Sequence, residues 1–305
     1  MTVIVLVGPT SSGKTGLGLE LGQIHSKLEI VSADSRQIFK YMDIGTGKVP
    51  QDTSQGAVKN EKYWTINGVK VWGYDLVSPA DYFSAYDFAS FARGTIADIH
   101  ARGSIPLVIG GTGFFVDALT GRVNLSAAAP NFKLREELNQ LSLDEALERL
   151  KELNEADFHT IDQKNKLRVV RAIERNTLPS AVKNSASDLT FSYYGLFDER
   201  ERLYSRVDLW ADGIWGELLF NEVKSLISLG YKESPPLKGL VYKTALAYLS
   251  GDIGLAEGFE RVKFDLHAYI RRQQTWFKKN DSITWLNVPD VRKNVELLGN
   301  ALTLD

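Results

Sequence analysis

The sequence predicts an α/β fold in which a parallel sheet is flanked by helices and carries a small inserted helical domain. Val3–Val7 and Ile105–Ile109 are apolar runs rich in β-branched residues, which is typical of strands buried on both faces of a parallel sheet. The first run leads into a glycine-containing loop and then into apolar residues at helical spacing. Between residues 123 and 190 the pattern becomes that of amphipathic helices.

The loop after the first strand fits the phosphate-binding pattern G-x-x-x-x-G-K-[ST]. Unpaired backbone N–H groups and the helix dipole make the start of the next helix an anion site. Lys14, pointing into a solvent-filled site, is expected to reach the terminal phosphates, and the Thr15 hydroxyl is expected to bind Mg²⁺. The core is therefore predicted to be P-loop NTPase-like. The residues expected to bind a diphosphate or nucleotide are Gly8, Pro9, Thr10, Ser11, Ser12, Gly13, Lys14 and Thr15.

Composition narrows the class of protein. The 305 residues suit one large domain with a smaller inserted one, and a hydrophobic content of 44% is that of a soluble globular protein. No apolar run could span a bilayer, and a core strand at the N-terminus leaves no room for a signal peptide. The absence of cysteine excludes disulfides and cysteine-bound metal sites. A net charge of −2 argues against a globally basic nucleic-acid binder, and a cytoplasmic monomer without membrane contact is expected.

A second predicted strand, Leu28–Ser32, runs directly towards Asp34. A carboxylate at the carboxyl end of a parallel strand, beside a phosphate loop, lies where open α/β sheets bind ligands. A helix N-cap is the alternative role for this residue. Residues 37–48 are rich in polar residues and glycine and lack a clear period, which is typical of a substrate-contacting loop.

The following segment contains a hairpin, a helix and a further strand. Asn67-Gly68 between alternating apolar residues predicts the hairpin, and Tyr82–His100 predicts the helix. The strand Ile105–Ile109 ends in Gly110-Gly111-Thr112, without the acidic residue that ends a Walker-B strand. This argues against an ATPase motor.

Two of these stretches resemble the signature of the bacterial tRNA dimethylallyltransferases, also called tRNA isopentenyltransferases. Asp34–Phe39 with Met42–Thr46 resembles D-S-x-Q-[VI]-Y-x-x-M-D-I-G-T, and Gly110–Phe115 resembles G-G-T-G-L-Y. Phe39 replaces the usual tyrosine. The resemblance implies that Thr112 hydrogen-bonds the transferred group or the tRNA. The family's His-His-Leu-Ile-Asp element has diverged at Trp72–Leu76, so no chemistry is assigned there.

The predicted domains are a core formed by residues 1–122 and 191–305 and a helical insertion, 123–190, for tRNA binding. Lys133–Leu138, Ser142–Leu150 and Asp162–Glu174 are its predicted helices, the second with a Ser142/Glu145 capping box. The third resembles the family's D-x-x-N-x-x-R-[VI]-x-R-A-L-E. Spacing alone favours a solvated basic face, whereas the resemblance implies tRNA contact. The residues expected to bind tRNA here are Lys133, Leu167, Arg168, Val169, Val170 and Arg171.

Two further stretches carry the resemblance towards the C-terminus. Arg200–Val207 resembles R-x-x-L-x-x-R-[IV], so Arg206 is expected to neutralise the diphosphate opposite Lys14; a helix-surface salt bridge is the alternative. A further family arginine is replaced around Leu209-Trp210. Tyr269–Lys279 resembles Y-A-K-R-Q-x-T-W-F-R, a basic-aromatic pattern that suits RNA, although its aromatic residues could simply be core. The tRNA contacts expected in the core domain are Asp34, Ser35, Arg36, Gln37, Thr112, Lys238, Tyr242, Lys243, Arg271, Arg272, Gln273, Thr275, Trp276 and Lys278.

The resemblance implies transfer of a dimethylallyl group from dimethylallyl diphosphate to the N6 amine of the adenosine 3′ to a tRNA anticodon, with release of diphosphate. Lys14, Arg206, the loop N–H groups and Mg²⁺ on Thr15 would stabilise the leaving group. Asp34 would accept the amine proton. One alternative is a small-molecule P-loop kinase that uses ATP, and another is a non-catalytic nucleotide switch that binds RNA. Neither alternative explains both the basic helices and Thr112 beside the loop.

Overall fold

The computed structural model describes residues 1–50, 56–123, 130–177 and 189–302. They form two compact units, one of Met1–Arg122 with Asp188–Asp305 and the other of Val123–Ser187. The described strands of the first unit are β1 Thr2–Val7, β2 Leu28–Ser32, β3 Ala57–Lys59, β4 Tyr63–Ile66, β5 Val69–Trp72, β6 Ile105–Gly110, β7 Thr190–Phe197 and β8 Ile283–Asn287. They make one sheet with the order β3-β4-β5-β2-β6-β1-β7-β8.

The sheet is parallel from β5 to β8 and antiparallel at the β3–β4–β5 edge. The predicted hairpin is confirmed, because β4 and β5 pair around Asn67 and Gly68. Both turn residues have positive φ, 49° and 81°, as a two-residue type I′ hairpin requires. The prediction of a parallel sheet is therefore correct for β1, β2, β6 and β7. The phosphate-binding loop follows β1 and Asp34 follows β2. The sheet as a whole is mixed.

The helices of the first unit contribute to two apolar cores, one with the sheet and one among themselves. These helices are α1 Lys14–Ile24, α2 Ala85–Ala101, α3 Gly113–Thr120, α8 Arg200–Ile214, α9 Glu217–Ser228, α10 Leu240–Leu249, α11 Leu255–Phe277 and α12 Val291–Leu302. One core joins α1 and α12 to the strands through residues such as Leu21, Ile30 and Leu298. The other core lies between the helices α8, α9, α10 and α11. None of the helices in the described part of the chain combines the length and apolar content needed to cross a membrane.

The inserted unit contains α4 Phe132–Gln140, α5 Leu143–Leu153, α6 Glu155–Thr160 and α7 Lys166–Thr177. It has its own core, which includes Leu138, Leu150 and Ile173. The buried Glu174 binds Arg135 through two hydrogen bonds of 2.8 Å. A buried carboxylate needs such a partner, because removal from water disfavours its charged form.

Two of the predicted helices begin later in the structure than in the sequence-based prediction. The capping box predicted for Ser142 and Glu145 is confirmed. The helix predicted from Tyr82 begins at Ala85, because Ser84 and Asp87 form a second capping box that the prediction missed. The helix predicted from Asp162 begins at Lys166, after a turn in which Asn165 Oδ1 accepts a hydrogen bond from the Arg168 N–H at 3.2 Å. Helix α6 was not predicted.

Candidate active site

A cavity of about 310 Å³ lies at the carboxyl ends of β1, β2 and β6. This is the edge at which open α/β sheets bind ligands. One part of its lining is polar and includes Lys14, Thr15, Asp34, Arg36 and Gln273. Another part is apolar and is formed by Ile30, Val49, Val71, Ile109, Trp210, Leu240 and Leu266. The cavity can therefore receive a ligand with an anionic end and an apolar end.

Lys14, the first residue of α1, is bound to its own loop. Its Nζ donates hydrogen bonds to the Pro9 carbonyl oxygen at 2.6 Å and to Ser12 Oγ at 3.3 Å. The side chain is buried, which corrects the expectation that it points into a solvent-filled site. Burial lowers the pKa of Lys14 to about 8, although the Asp34 carboxylate opposes this shift. An arriving diphosphate would favour the charged form of this ammonium group.

Asp34 follows β2 and is half-buried. Its Oδ1 accepts a hydrogen bond from the Arg36 N–H at 2.8 Å. Burial raises the pKa of Asp34, and this effect exceeds the opposing influence of that hydrogen bond and of the Lys14 and Arg36 charges. A carboxylate with a raised pKa is a stronger base, which suits proton abstraction.

Thr112 lies between β6 and α3 and contacts the residue after Asp34. Its Oγ1 accepts a hydrogen bond from the Ser35 N–H at 3.0 Å and lies 3.2 Å from Ser35 Oγ. Tyr269 of α11 hydrogen-bonds Thr112, and burial together with the Asp34 charge raises the pKa of Tyr269 to about 12. The sequence motif contained Tyr269, yet no role was assigned to it. The structure thus brings Asp34, Ser35, Thr112 and Tyr269 together.

Arg206 of α8 lies against the phosphate-binding loop. Its Nε donates a hydrogen bond to the Ser11 carbonyl oxygen at 2.7 Å, and its Nη2 donates to Asp198 Oδ2 at 2.6 Å. Asp198 is buried. Arg206 therefore makes a salt bridge, as the alternative raised from the sequence has it, but with a buried carboxylate and together with a hydrogen bond to the loop.

A carboxylate from α9, Glu222, holds the loop that was predicted to contact the substrate. Glu222 Oε2 accepts hydrogen bonds from the N–H groups of Asp43 and Ile44, both at 2.7 Å. Glu222 Oε1 accepts from the Gly45 N–H at 3.0 Å and from the Tyr242 hydroxyl at 2.7 Å. A Cβ on Gly45 would lie 2.6 Å from the Tyr242 ring, so the position requires glycine. Sequence reasoning missed Glu222 because one glutamate on a polar helix face carries no distinctive signal.

The burial of Tyr242 corrects one predicted RNA contact. Its ring is 1% exposed and its hydroxyl is bonded to Glu222. Tyr242 therefore positions the loop and cannot stack on an RNA base.

The diverged element near Trp72 also has a structural role. Lys48 is fully buried, and its Nζ donates to the Phe39 carbonyl oxygen at 2.7 Å, to Asp43 Oδ1 at 2.8 Å and to Asp75. Asp75 also accepts a hydrogen bond from Trp64 Nε1 at 3.1 Å. These bonds join the loop to the β4–β5 hairpin, and this buried cation is paired as burial requires.

Two glutamines predicted to contact tRNA act as braces in the wall of the cavity. Gln273 is buried; its Oε1 accepts from the Thr10 N–H at 2.8 Å and its Nε2 donates to the Gly111 carbonyl oxygen at 2.9 Å. It thereby ties the phosphate-binding loop to the end of β6. Gln37 is also buried, and its Oε1 accepts a hydrogen bond from Ser32 Oγ at 2.8 Å. Both amides satisfy backbone or buried polar groups, and neither side chain lies on the outer surface.

The remaining predicted RNA contacts of the first unit differ in exposure. Arg36 donates from Nη1 to the Pro236 carbonyl oxygen at 2.8 Å, and Arg271 donates to the Tyr204 hydroxyl at 2.9 Å. Trp276 is 37% exposed, with its Nε1 bonded to Asp117 at 2.9 Å, so it is not simply core. The other predicted contacts that are exposed are Lys238, Lys243, Arg272, Thr275 and Lys278.

In the inserted unit the two arginines lie at the surface of α7. Arg168 pairs with Asp162 at 3.2 Å and Arg171 pairs with Glu174 at 3.5 Å. Lys133 and Leu167 are exposed. Val169 and Val170 are buried in the core of this unit, so the expectation that their side chains contact tRNA is wrong. Valines at these positions pack the helix and do not face a ligand.

The oxygen donors at the cavity suit a metal ion that is bound mainly by the phosphate oxygens of the substrate. No group of three or more histidine, aspartate or glutamate side chains in the described ranges could hold a metal by itself. The Thr15 hydroxyl lines the cavity beside the phosphate-binding loop. Mg²⁺ commonly keeps several waters and takes few protein ligands together with phosphate oxygens. These oxygen donors are compatible with Mg²⁺.

Comparisons with known proteins agree on one family. A family model described as IPP transferase matches residues 37–280. The tRNA dimethylallyltransferase of Acetivibrio thermocellus is 34% identical, with 98% of this chain and 95% of that protein covered. The tRNA dimethylallyltransferase of Clostridioides difficile is also 34% identical, with 99% and 96% covered. The crystal structure of the tRNA isopentenylpyrophosphate transferase from Bacillus halodurans has a TM-score of 0.70 at 28% identity, covering 99% of this chain and 96% of that one.

Proposed function

The chain belongs to the IPP transferase family of tRNA dimethylallyltransferases, and on that premise we propose the reaction it performs. A dimethylallyl group passes from dimethylallyl diphosphate to the N6 amine of the adenosine 3′ to a tRNA anticodon. The observation that carries this proposal is the convergence of Lys14, Asp34 and Tyr269 on one cavity, with Thr112 bonded to the neighbouring Ser35. A phosphate-binding loop and a basic carboxylate are the two elements that an allylic transfer to an amine requires.

The leaving diphosphate binds the loop Gly8–Thr15. Its oxygens accept hydrogen bonds from the loop N–H groups and from the Lys14 ammonium group, which now donates to Pro9 and Ser12. Arg206 adds positive charge beside Ser11 and holds the loop through that residue's carbonyl oxygen. As the allylic C–O bond breaks, these preorganised donors stabilise the negative charge that develops on the diphosphate.

Thr15, together with the diphosphate oxygens, would hold Mg²⁺. When bound, the ion supplies further neutralisation of the leaving group. The chain's own contribution is the position of the Thr15 hydroxyl at the loop end of the cavity.

Asp34 accepts the proton that the adenosine N6 amine loses as its new N–C bond forms. The raised pKa of Asp34 makes the carboxylate a better match for this task. Thr112 and Tyr269 place hydroxyl groups beside Asp34, where they orient the amine or the base. The apolar lining, including Ile109 and Leu266, receives the dimethylallyl group and keeps water from the allylic carbon.

Exposed cations on both units supply the tRNA contacts. In the first unit they are Lys238, Lys243, Arg272 and Lys278, and in the inserted unit they are Lys133 and Arg168, with the half-buried Arg171 beside them on α7. Such side chains bind phosphates, whereas base recognition needs groups that reach base edges. The target adenosine has to leave its stack to reach Asp34, as in other enzymes that modify a base. Action as a cytoplasmic monomer stays a prediction.

The test is an assay with unmodified tRNA, Mg²⁺ and either dimethylallyl diphosphate or ATP, followed by nucleoside digestion and mass analysis. We expect N6-dimethylallyladenosine only with the allylic donor, and much less of it from Lys14→Ala. Phosphate transfer from ATP to a small molecule would instead support the kinase alternative. RNA binding without either product would support the nucleotide switch.

A further inference from the structure

A second pocket touches the opposite end of the phosphate-binding loop. It encloses about 210 Å³ and is lined by Pro9, Leu196, Phe197, Gln274, Phe277, Lys278 and Trp285. Pro9 follows β1, Leu196 and Phe197 end β7, and Trp285 belongs to β8. The pocket therefore lies at the same carboxyl edge of the sheet as the active-site cavity, where ligands of α/β proteins bind. It shares no lining residue with that cavity.

Two aromatic rings stand side by side at this pocket. Gly195 is paired in register with Trp285, and Phe197 lies two residues after Gly195, on the same face of β7. A Cβ on Gly195 would lie 2.7 Å from the Trp285 ring, so that ring covers the glycine. Phe197 is 46% exposed and Trp285 is 40% exposed. Both residues are thus partly exposed to solvent where they line the pocket.

Gln274, which lines the pocket, carries an unused hydrogen-bond acceptor. Gln274 Oε1 is buried and is the only buried side-chain polar atom without a hydrogen-bond partner among the described residues. The preceding residue, Gln273, has both ends of its amide bonded. An unpartnered buried acceptor costs stability, and such an atom in a native structure calls for an explanation. A ligand N–H group would satisfy it.

We propose that this pocket binds one unstacked nucleobase. The base stacks on Phe197 and Trp285, an edge N–H donates to Gln274 Oε1, and the exposed Lys278 attracts the phosphate of the same nucleotide. A hydrocarbon chain would suit the rings but would leave Gln274 unsatisfied. The base has two possible sources: a tRNA nucleotide, which rests on the proposed function, or a free nucleotide whose phosphates reach the nearby loop.

The test measures equilibrium binding of an unmodified anticodon stem–loop RNA and, separately, of ATP to the full chain. Phe197→Ala should weaken binding of one of these ligands by about 5- to 100-fold, the usual effect of losing base–aromatic stacking. Gln274→Leu should weaken the same ligand by about 2- to 10-fold, without lowering Tm, because it removes the unpartnered acceptor. Trp285→Phe keeps a ring and should stay within about threefold of the wild type.

Phe264→Leu is the matched control, because Phe264 is an exposed ring on α11 that does not line this pocket. Loss confined to RNA identifies a tRNA base, and loss confined to ATP identifies a free nucleotide. The proposal is overturned if the Phe197→Ala and Gln274→Leu variants bind both ligands as tightly as the Phe264→Leu variant does. Because binding is measured apart from transfer, a wild-type chain that prenylates tRNA would keep its proposed function in that case.

Discussion

Replacing Glu222 by glutamine tests whether one remote carboxylate shapes the active-site loop. Glu222 accepts four hydrogen bonds, three from consecutive backbone N–H groups at Asp43, Ile44 and Gly45 and one from Tyr242. A glutamine side chain keeps one oxygen, which can serve Asp43 and Ile44. Its NH₂ group then faces Gly45, whose N–H loses its acceptor. Tyr242 can reverse its hydroxyl and accept instead.

The expected loss of stability in Glu222→Gln has three sources: one hydrogen bond is missing, one buried donor is unsatisfied, and the acceptor no longer carries a charge. We expect Glu222→Gln to lower the free energy of unfolding by about 2–4 kcal/mol. Tyr242→Phe removes one hydrogen bond to a charged group and should cost about 1.5–3 kcal/mol. Since the two side chains touch, the double variant should show a coupling of about 1 kcal/mol or more.

The loop also lines the cavity through Gly45, Thr46 and Gly47. Misplacement of a positioning loop by about 1 Å can cost on the order of 10²-fold in rate, so kcat/KM for transfer should fall about 10- to 100-fold in Glu222→Gln. The measurements are urea unfolding and steady-state transfer at 25 °C. Glu217→Gln, at an exposed glutamate in the first turn of the same helix, should cost at most about 1 kcal/mol and leave kcat/KM unchanged. Wild-type stability and kcat/KM in Glu222→Gln would refute this reasoning.

Three further variants examine the active site and the RNA surface. Lys14→Ala should abolish most single-turnover transfer. In the wild type, the affinity for dimethylallyl diphosphate should fall as pH rises through about 8, because Lys14 loses its charge there. An affinity that stays unchanged up to about pH 9 would contradict this role of Lys14. Asp34→Asn should slow transfer by roughly 10²–10⁴-fold while the binding of each substrate changes by less than about tenfold, and a loss confined to tRNA affinity would make Asp34 a positioning residue. Arg168→Ala with Arg171→Ala should weaken tRNA binding and reduce its log–log salt slope by roughly one per lost phosphate contact, with dimethylallyl diphosphate affinity as the internal control.

The parts of the fold that the sequence predicted are those with local causes. The strand–loop–helix unit at Gly8–Thr15 and the Asn67-Gly68 hairpin follow from patterns within about ten residues. The position of Asp34 beside the loop follows from strand order in a parallel sheet, because β2 ends at the same edge as β1. Resemblance to the family added Thr112, whose placement next to Ser35 no local pattern implies.

The residues that sequence reasoning misjudged act across long separations. Glu222 is 179 residues from Asp43, and Gln273 is 263 residues from Thr10. Gln273 was assigned to RNA because it lies in a basic-aromatic stretch, yet the helix turns it inwards while its neighbours Arg272 and Lys278 face outwards. Val169 and Val170 were misassigned because they too lie in a stretch that resembles a family motif. A motif identifies a helix but not which of its faces is buried.

Side chains from the C-terminal third fix the shape of the phosphate-binding loop. Arg206 binds the Ser11 carbonyl oxygen, Gln273 binds the Thr10 N–H, and Lys14 closes the loop onto Pro9. Donors held in place before the substrate arrives stabilise developing charge without reorganisation during the reaction. If the loop binds the diphosphate as proposed, the helices that carry Arg206 and Gln273 contribute to catalysis through the loop. A shift of α11 on tRNA binding would then move Gln273, and with it Thr10, and would link occupancy of the proposed RNA surface to the geometry of the loop.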